Sequence, residues 1–230
     1  MVIDDLREIP TYTFTEAAHY LRVPLGTLRS WLFGYGYRIK AGVSRSKPLI
    51  NIAGRDPSLL SFYNLVEAHV LSALRRKHGT SMQKVRQALD YLQEKHRSAH
   101  PLAHKWFYTD GVDIFVSEYD RIESITQHGQ LAMRELLERY LTRIDWDDQK
   151  FAVRLFPFTS DSPTPDIRLV VIDPMVSYGR PVITGSGIPT SIIAERFQAG
   201  ESMEILRDDY GRTAQEIEEA LRCELRRQAA

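Results

Sequence analysis

The sequence predicts a mainly helical chain with small β elements, an α+β protein in three parts: residues 1–98, 99–172 and 173–230. Three observations predict it. Thr13 with Glu16, Thr80 with Gln83 and Thr213 with Glu216 have the spacing of capping boxes, in which the two side chains satisfy orphan N–H groups at a helix start. Apolar residues then recur at helical spacing, whereas β-prone runs are short and bounded by Gly, Pro and Asp. At Asp173-Pro174 the texture changes, and Gly179-Arg180-Pro181 through Gly187-Ile188-Pro189 dictate a path rich in turns.

With 43% hydrophobic and 26% charged residues, the chain has the balance of a soluble globular protein. The single cysteine, Cys223, excludes an internal disulfide framework and a cysteine zinc site, and fits a reducing compartment. No run approaches about eighteen apolar residues, and the opening MVIDDLREIP is too acidic for a signal peptide, so a cytoplasmic protein with no membrane partner is expected. A formal net charge of zero hides a split. Residues 1–100 carry 15 Lys and Arg against 8 Asp and Glu, and residues 101–230 carry 15 against 22. The basic part suits a polyanion and the acidic part a basic protein or self-association.

Taken in order, Thr13 opens a helix whose inward face is Ala17, Ala18 and Leu21, small enough for a second helix to cross closely. Arg22-Val23-Pro24 forms the turn, with Pro24 at the first position of the next helix. There Leu25, Leu28 and Leu32 face inward, which turns Gly26, Thr27 and Ser30 outward with Arg29 on the flank. This is a helix-turn-helix pattern, although the spacing alone would also serve a helical hairpin in a core. Tyr37–Lys40 and Leu49–Ile52 then alternate as two strands around an Ala41–Pro48 tip. Arg38, Lys40, Arg45 and Lys47 make this hairpin cationic, placing it to touch phosphate beside a helix that reads base edges.

Helix, turn, helix and cationic hairpin together resemble the MerR-type winged helix-turn-helix, whose recognition helix commonly carries Thr-Leu-Arg, here Thr27-Leu28-Arg29. Trp31 stands near a tyrosine of that family. The resemblance extends over residues 11–97 through two further helices, 61–76 and 81–95. His69 lies on the apolar stripe of the first of these and is read as a core histidine. His96, His100 and His104 recur every four residues, but Pro101 interrupts the helix that would align them for a metal, so the stretch is read as a connector.

In the central part, 105–108 and 113–116 flank Thr109-Asp110-Gly111 and predict a hairpin, followed by an amphipathic helix from Gln130 to Asp145 with Leu131, Met133, Leu137 and Ile144 inward. Phe151–Phe158 and Ile167–Asp173 predict strands, joined by the loop 159–166. Asp145, Asp147 and Asp148 are read as solvated charge at a helix end, not as a catalytic set.

The last part predicts a Val182-Ile183 strand and three helices. Ile192, Ile193 and Phe197 form the apolar side of the first, Ser202 begins the second, and Thr213 begins a third with Ile217, Ala220, Leu221 and Leu225 inward. Its outward residues, Glu204, Asp208, Asp209, Glu218 and Glu219, have the wrong sign for phosphate. The order of landmarks over residues 173–224 (Asp-Pro, Gly-Arg-Pro-Val-Ile, Ile-Pro, Asp-Tyr-Gly, a Thr-capped helix) resembles the family called domain of unknown function four-three-three, with Gly187 where that family usually has arginine. That resemblance implies an antitoxin beside a PIN-like ribonuclease. With the MerR-like part in front, the whole resembles VapB-type antitoxins.

The expected function is a DNA-binding antitoxin of a type II toxin–antitoxin system, which neutralises a PIN-like ribonuclease toxin and autoregulates its operon. The alternative is a MerR-like transcription regulator that senses a small molecule. Neither reading has catalytic residues, a metal or a cofactor. Expected DNA contacts are Thr27, Arg29, Ser30, Arg38, Lys40, Arg45 and Lys47, and a homodimer is expected, joined through Ser81–Lys95 or the carboxy-terminal module.

Overall fold

The computed structural model describes residues 5–39, 42–52, 59–76, 81–95, 98–159 and 168–225, with the backbone alone at 37–39 and 43. The chain is mainly helical, with small antiparallel sheets, as the α+β pattern predicts. The Thr13 capping box opens α1 (Phe14–Tyr20): Thr13 Oγ1 accepts from the Glu16 amide at 3.2 Å, and Glu16 accepts from the Thr13 amide at 2.9 Å. The helix ends in a Schellman motif, the Val23 amide donating to Ala18 and the Arg22 amide to His19. Arg22 occupies the left-handed position of that motif, φ +53°, where glycine is usual. Pro24 is the N-cap of α2 (Leu25–Phe33), one residue before the first helical position.

Tyr12–Thr13 (β1) pairs with Leu59–Leu60 (β4), bringing α1 beside α3 (Phe62–Arg76). Between them lies the hairpin of β2 (Gly36–Ile39) and β3 (Gly42–Arg45), paired Gly36 with Arg45 and Ile39 with Gly42. The predicted second strand, Leu49–Ile52, is thus displaced. The Leu49 and Ile50 amides both donate to the Trp31 carbonyl, at 2.6 and 3.2 Å, and Ile50 is buried. These bonds to the Trp31 main chain and the burial of Ile50 replace ladder pairing there, and Arg45 stands in a strand instead of a tip.

Every residue of α3 from Phe62 to Leu74 is buried, so this helix is the centre of the chain. Val85, Ala88, Leu89 and Leu92 of α4 (Met82–Lys95) pack on α5 (Val112–Glu123). The Thr80 capping box lies outside the described residues. His69 is buried against the rings of Tyr140 and Phe158, with Nε2 3.0 Å from the Tyr140 carbonyl. Burial drives its pKa down to about 3, so it is neutral. His100 precedes a 3-10 turn, Pro101–Ala103, and lies between Glu67 (Nδ1, 3.0 Å) and Glu8 (Nε2, 3.2 Å).

The predicted hairpin across residues 105–116 is helical: a π turn, Phe107–Gly111, runs directly into α5. Phe107, Phe115 and Tyr119 are buried at helical spacing, each gaining roughly 2–3 kcal/mol, against about 1 kcal/mol for a local turn preference. Gly111 is in helical conformation, φ −68°, and a Cβ there would lie 2.8 Å from the Phe107 ring, so it is this close packing and not a turn that calls for glycine. The next helix, α6 (Gln127–Leu141), starts earlier than predicted, since Thr126 caps it, and stops sooner, since Ile144 enters β5 (Ile144–Trp146). Leu131 is exposed. β5 pairs with β6 (Ala152–Leu155), and the shorter than predicted β7 (Val170–Val171) pairs with β8 (Val182–Ile183). Asp145 and Asp147 are structural ion-pair partners of Arg168 and Arg7, on β5 and the turn after it, not loose charge at a helix end.

The last three helices, α7 (Thr190–Gln198), α8 (Met203–Tyr210) and α9 (Ala214–Glu224), follow the predicted caps. Ile193, Leu206, Ile217 and Ala220 form their core with Ile183, whereas Ile192 and Phe197 are exposed. Glu219 departs from the predicted outward face. It is buried, pairing with Arg222 at 2.6 Å and accepting from Thr159. A separate, larger core runs from Tyr12 to Ile172, across residue 98.

Candidate nucleic-acid interface

Helix α2 is anchored by Leu28, Trp31 and Leu32, all buried. Trp31 is 1% exposed, so its indole is unavailable to phosphate. On the opposite side Gly26 and Arg29 are exposed, with Thr27 and Ser30 half-buried. A Cβ at Gly26 would meet nothing within 4 Å, so the helix surface there is open and flat. Ser30 Oγ donates to the Thr27 carbonyl at 2.7 Å, which leaves its lone pairs to accept from an outside donor.

The hairpin springs from the end of this helix. Gly34 is at φ +70°, and a Cβ on it would lie 1.9 Å from the Ser46 carbonyl oxygen, so only glycine lets the returning strand pass. Ser46 and Tyr35 close the junction, the Ser46 amide donating to Tyr35 at 3.0 Å and the Tyr35 amide to Ser46 Oγ at 2.9 Å. Arg45 and Lys47 are exposed on the return limb. Arg29, Arg45 and Lys47 take part in no ion pair among the described residues, so their charge is available to a polyanion. Arg38 lies on β2 opposite Val43, and Lys40 falls outside the described residues. Sequence reasoning passed over Phe33 and Tyr35, 36% and 42% exposed at the helix-to-hairpin junction. Their signal is the alternation Phe33-Gly34-Tyr35-Gly36, two aromatics set among glycines.

The carboxy-terminal module grips this domain along β1, α1 and the turn that follows it. Tyr12 donates to the Gly179 carbonyl at 3.0 Å, and a Cβ at Gly179 would collide with that hydroxyl. Arg180 pairs with Glu16 at 3.0 Å. Burial works against ionisation of Glu16, but the Thr13 bonds and Arg180 outweigh it and hold the pKa below its ordinary value. Arg22 donates to the Arg222 carbonyl at 3.0 Å and also to that of Thr159. Glu204, Asp208, Asp209 and Glu218 are exposed on the module, with Arg196 tying Asp209 to Glu201. No group of three or more His, Cys, Asp or Glu among the described residues could hold a metal ion, and no helix among them is long and apolar enough to cross a membrane.

Residues 10–89 match the family described as "Putative DNA-binding HTH domain", and residues 170–222 match "Protein of unknown function (DUF433)". The "Putative antitoxin VapB45" of Mycobacterium tuberculosis is 32% identical, over 93% of each chain. The chain belongs to the VapB45 family. The "Uncharacterized protein Rv2308" of the same organism is 22% identical over 96% of this chain and 92% of its own. The VapB45-like architecture is also that of the crystal structure of Rv2018 from M. tuberculosis, with a TM-score of 0.67 and 29% identity over 93% of this chain and 98% of that one.

Proposed function

We propose that this protein is a DNA-binding antitoxin that neutralises a PIN-like ribonuclease toxin and represses its own operon as a cytoplasmic homodimer. The observation that carries the reading is the full-length relationship to VapB45 in a chain that has an exposed cationic helix and hairpin at one end and an exposed carboxylate face at the other. In this reading α2 enters the major groove in the MerR-like manner, with Arg29 on a base edge or phosphate and Thr27 and Ser30 beside it. The hairpin, through Arg38, Lys40, Arg45 and Lys47, holds phosphate. The acidic module would approach a basic RNA-binding groove with favourable steering and block it sterically, and no residue here performs chemistry.

Co-expression with the protein encoded beside it tests the reading. Co-purification, loss of that protein's ribonuclease activity in the complex, and a gel shift on the DNA upstream of the pair are the expected results. A chain that shifts that DNA yet binds and inhibits no neighbouring protein returns the reading to a small-molecule-sensing regulator.

A further inference from the structure

Three residues of α2 are exposed, Gly26, Arg29 and Phe33. At intervals of three and four they fall on one line along the helix, opposite the buried Leu28, Trp31 and Leu32. Arg29 therefore stands between a residue with no side chain and an aromatic ring. The ring is the unexpected member of the line. A helix face that hydrogen-bonds base edges uses donors and acceptors, and phenylalanine has neither.

The ring is set before any partner arrives. Phe33 meets Phe14, the first residue of α1, edge to face, with centroids 5.5 Å apart and planes at 68°. Directly after it Gly34 turns the chain into the hairpin, under the Ser46 carbonyl. Phe33 is thus supported on one side and 36% exposed on the other. A side chain already ordered loses little entropy on contact.

Position selects what the exposed side meets. Arg29, one turn earlier on the same line, can reach a base edge or a phosphate, and Arg45 and Lys47 on the returning limb carry charge for the backbone. Phe33 ends the helix between these two sets, where base edges give way to phosphate. Guanine, adenine and cytosine show donors and acceptors in the major groove, whereas thymine adds an apolar group, its 5-methyl, at the groove edge beside its own strand. An apolar ring on this line has that methyl as its matching partner.

We propose that Phe33 reads the 5-methyl group of a thymine in the bound site, so that this protein prefers thymine at that position through apolar contact and not through a hydrogen bond. The inference rests on the DNA-binding reading above and adds a residue and a base to it.

The DNA upstream of the gene pair, prepared once with thymidine and once with deoxyuridine, differs only in 5-methyl groups, and gel-shift titration of the full chain on both duplexes is the test. The wild type should bind the deoxyuridine duplex about threefold to tenfold more weakly, as expected for one or two methyl groups left uncovered. Single deoxyuridine replacements should confine the loss to one position in each half-site. Phe33→Ala should weaken binding to the thymidine duplex by a similar factor and bind both duplexes alike. Phe33→Gln, whose stem can still lie on Phe14, should also lose the discrimination, so the outcome does not depend on the fold of one variant. Leu131→Ala, at an exposed apolar site on α6, should keep the wild-type ratio. A wild type indifferent to the methyl groups, or Phe33 variants that keep the wild-type ratio, would overturn the inference and leave DNA binding standing. A wild type that binds neither duplex would strike the proposed function and this inference with it.

Discussion

Arg22, in the turn of the helix-turn-helix, donates from its guanidinium to the carbonyl of Arg222, 200 residues later in the chain, at 3.0 Å. That carbonyl belongs to the last turn of α9, where backbone acceptors lack intrahelical partners and the helix dipole is negative, so a cation is well placed. Glycine would fit the left-handed backbone of residue 22 with about 1 kcal/mol less strain. An arginine there is kept for its side chain.

Arg22→Ala should therefore destabilise the full chain by about 1–3 kcal/mol, through loss of charge-assisted bonds to Arg222 and Thr159. Arg22→Gly loses the same bonds but relieves the backbone, so it should be milder by about 1 kcal/mol. Urea unfolding of both variants gives the comparison. Equal stabilities for Ala and Gly would show that the left-handed backbone is not the source of strain.

At the proposed DNA face, Arg29→Ala should weaken operator binding by about 1–3 kcal/mol if the side chain meets a base, and by less, on all sequences alike, if it meets phosphate. Thr27→Ala and Ser30→Ala should change sequence preference more than overall affinity. Gel-shift titrations on operator and scrambled DNA separate these effects. Parental affinity of the Arg29 variant on both would remove α2 from the site.

Arg45 and Lys47 are exposed on the hairpin limb, and their replacement by glutamine should weaken binding on every sequence. Each lost phosphate contact should lower the slope of log affinity against log salt by about 0.9. A double variant with the parental slope would mean that the hairpin does not touch DNA.

Two buried histidines should give stability a maximum near neutral pH. His69 is held neutral by burial, with its pKa lowered to about 3 from an ordinary 6.5. The unfolded chain takes up a proton that the native chain refuses, so stability falls as pH drops from about 6.5 toward 3, by up to several kcal/mol. His100 has the opposite sign. Burial opposes its charge, but Glu67 and Glu8 on either side outweigh that and raise its pKa, while Tyr63 packs on its ring. Its contribution is complete below about 6.5 and fades as pH rises through the raised value. Denaturant midpoints from acid to mildly alkaline pH should trace both arms. His69→Gln should flatten the acid arm and Glu67→Gln the alkaline one; an unchanged acid arm in His69→Gln would assign it elsewhere.

Much of the architecture is decided within short stretches and was legible in the sequence by itself. The caps at Thr13, Ser202 and Thr213 and the inward Leu28 and Leu32 depend on hydrogen bonds and spacings within a few residues, so local chemistry settles them. The exposed position of Arg29 follows from the same helical spacing, whereas Arg45, expected on a loop tip, is exposed at the end of a strand. Tertiary structure decided what depended on distant partners. Asp110-Gly111 reads as a turn, yet the burial of Phe107, Phe115 and Tyr119 makes it helical, and Ile50 leaves a predicted strand to bond the Trp31 carbonyl and enter the core. Glu219 looks like an outward carboxylate until Thr159 and Arg222 close over it. The joining of the two ends, Arg22 on Arg222, Arg180 on Glu16 and Tyr12 on Gly179, spans more than 160 residues, and no spacing in the chain encodes a contact made only after both partners have folded.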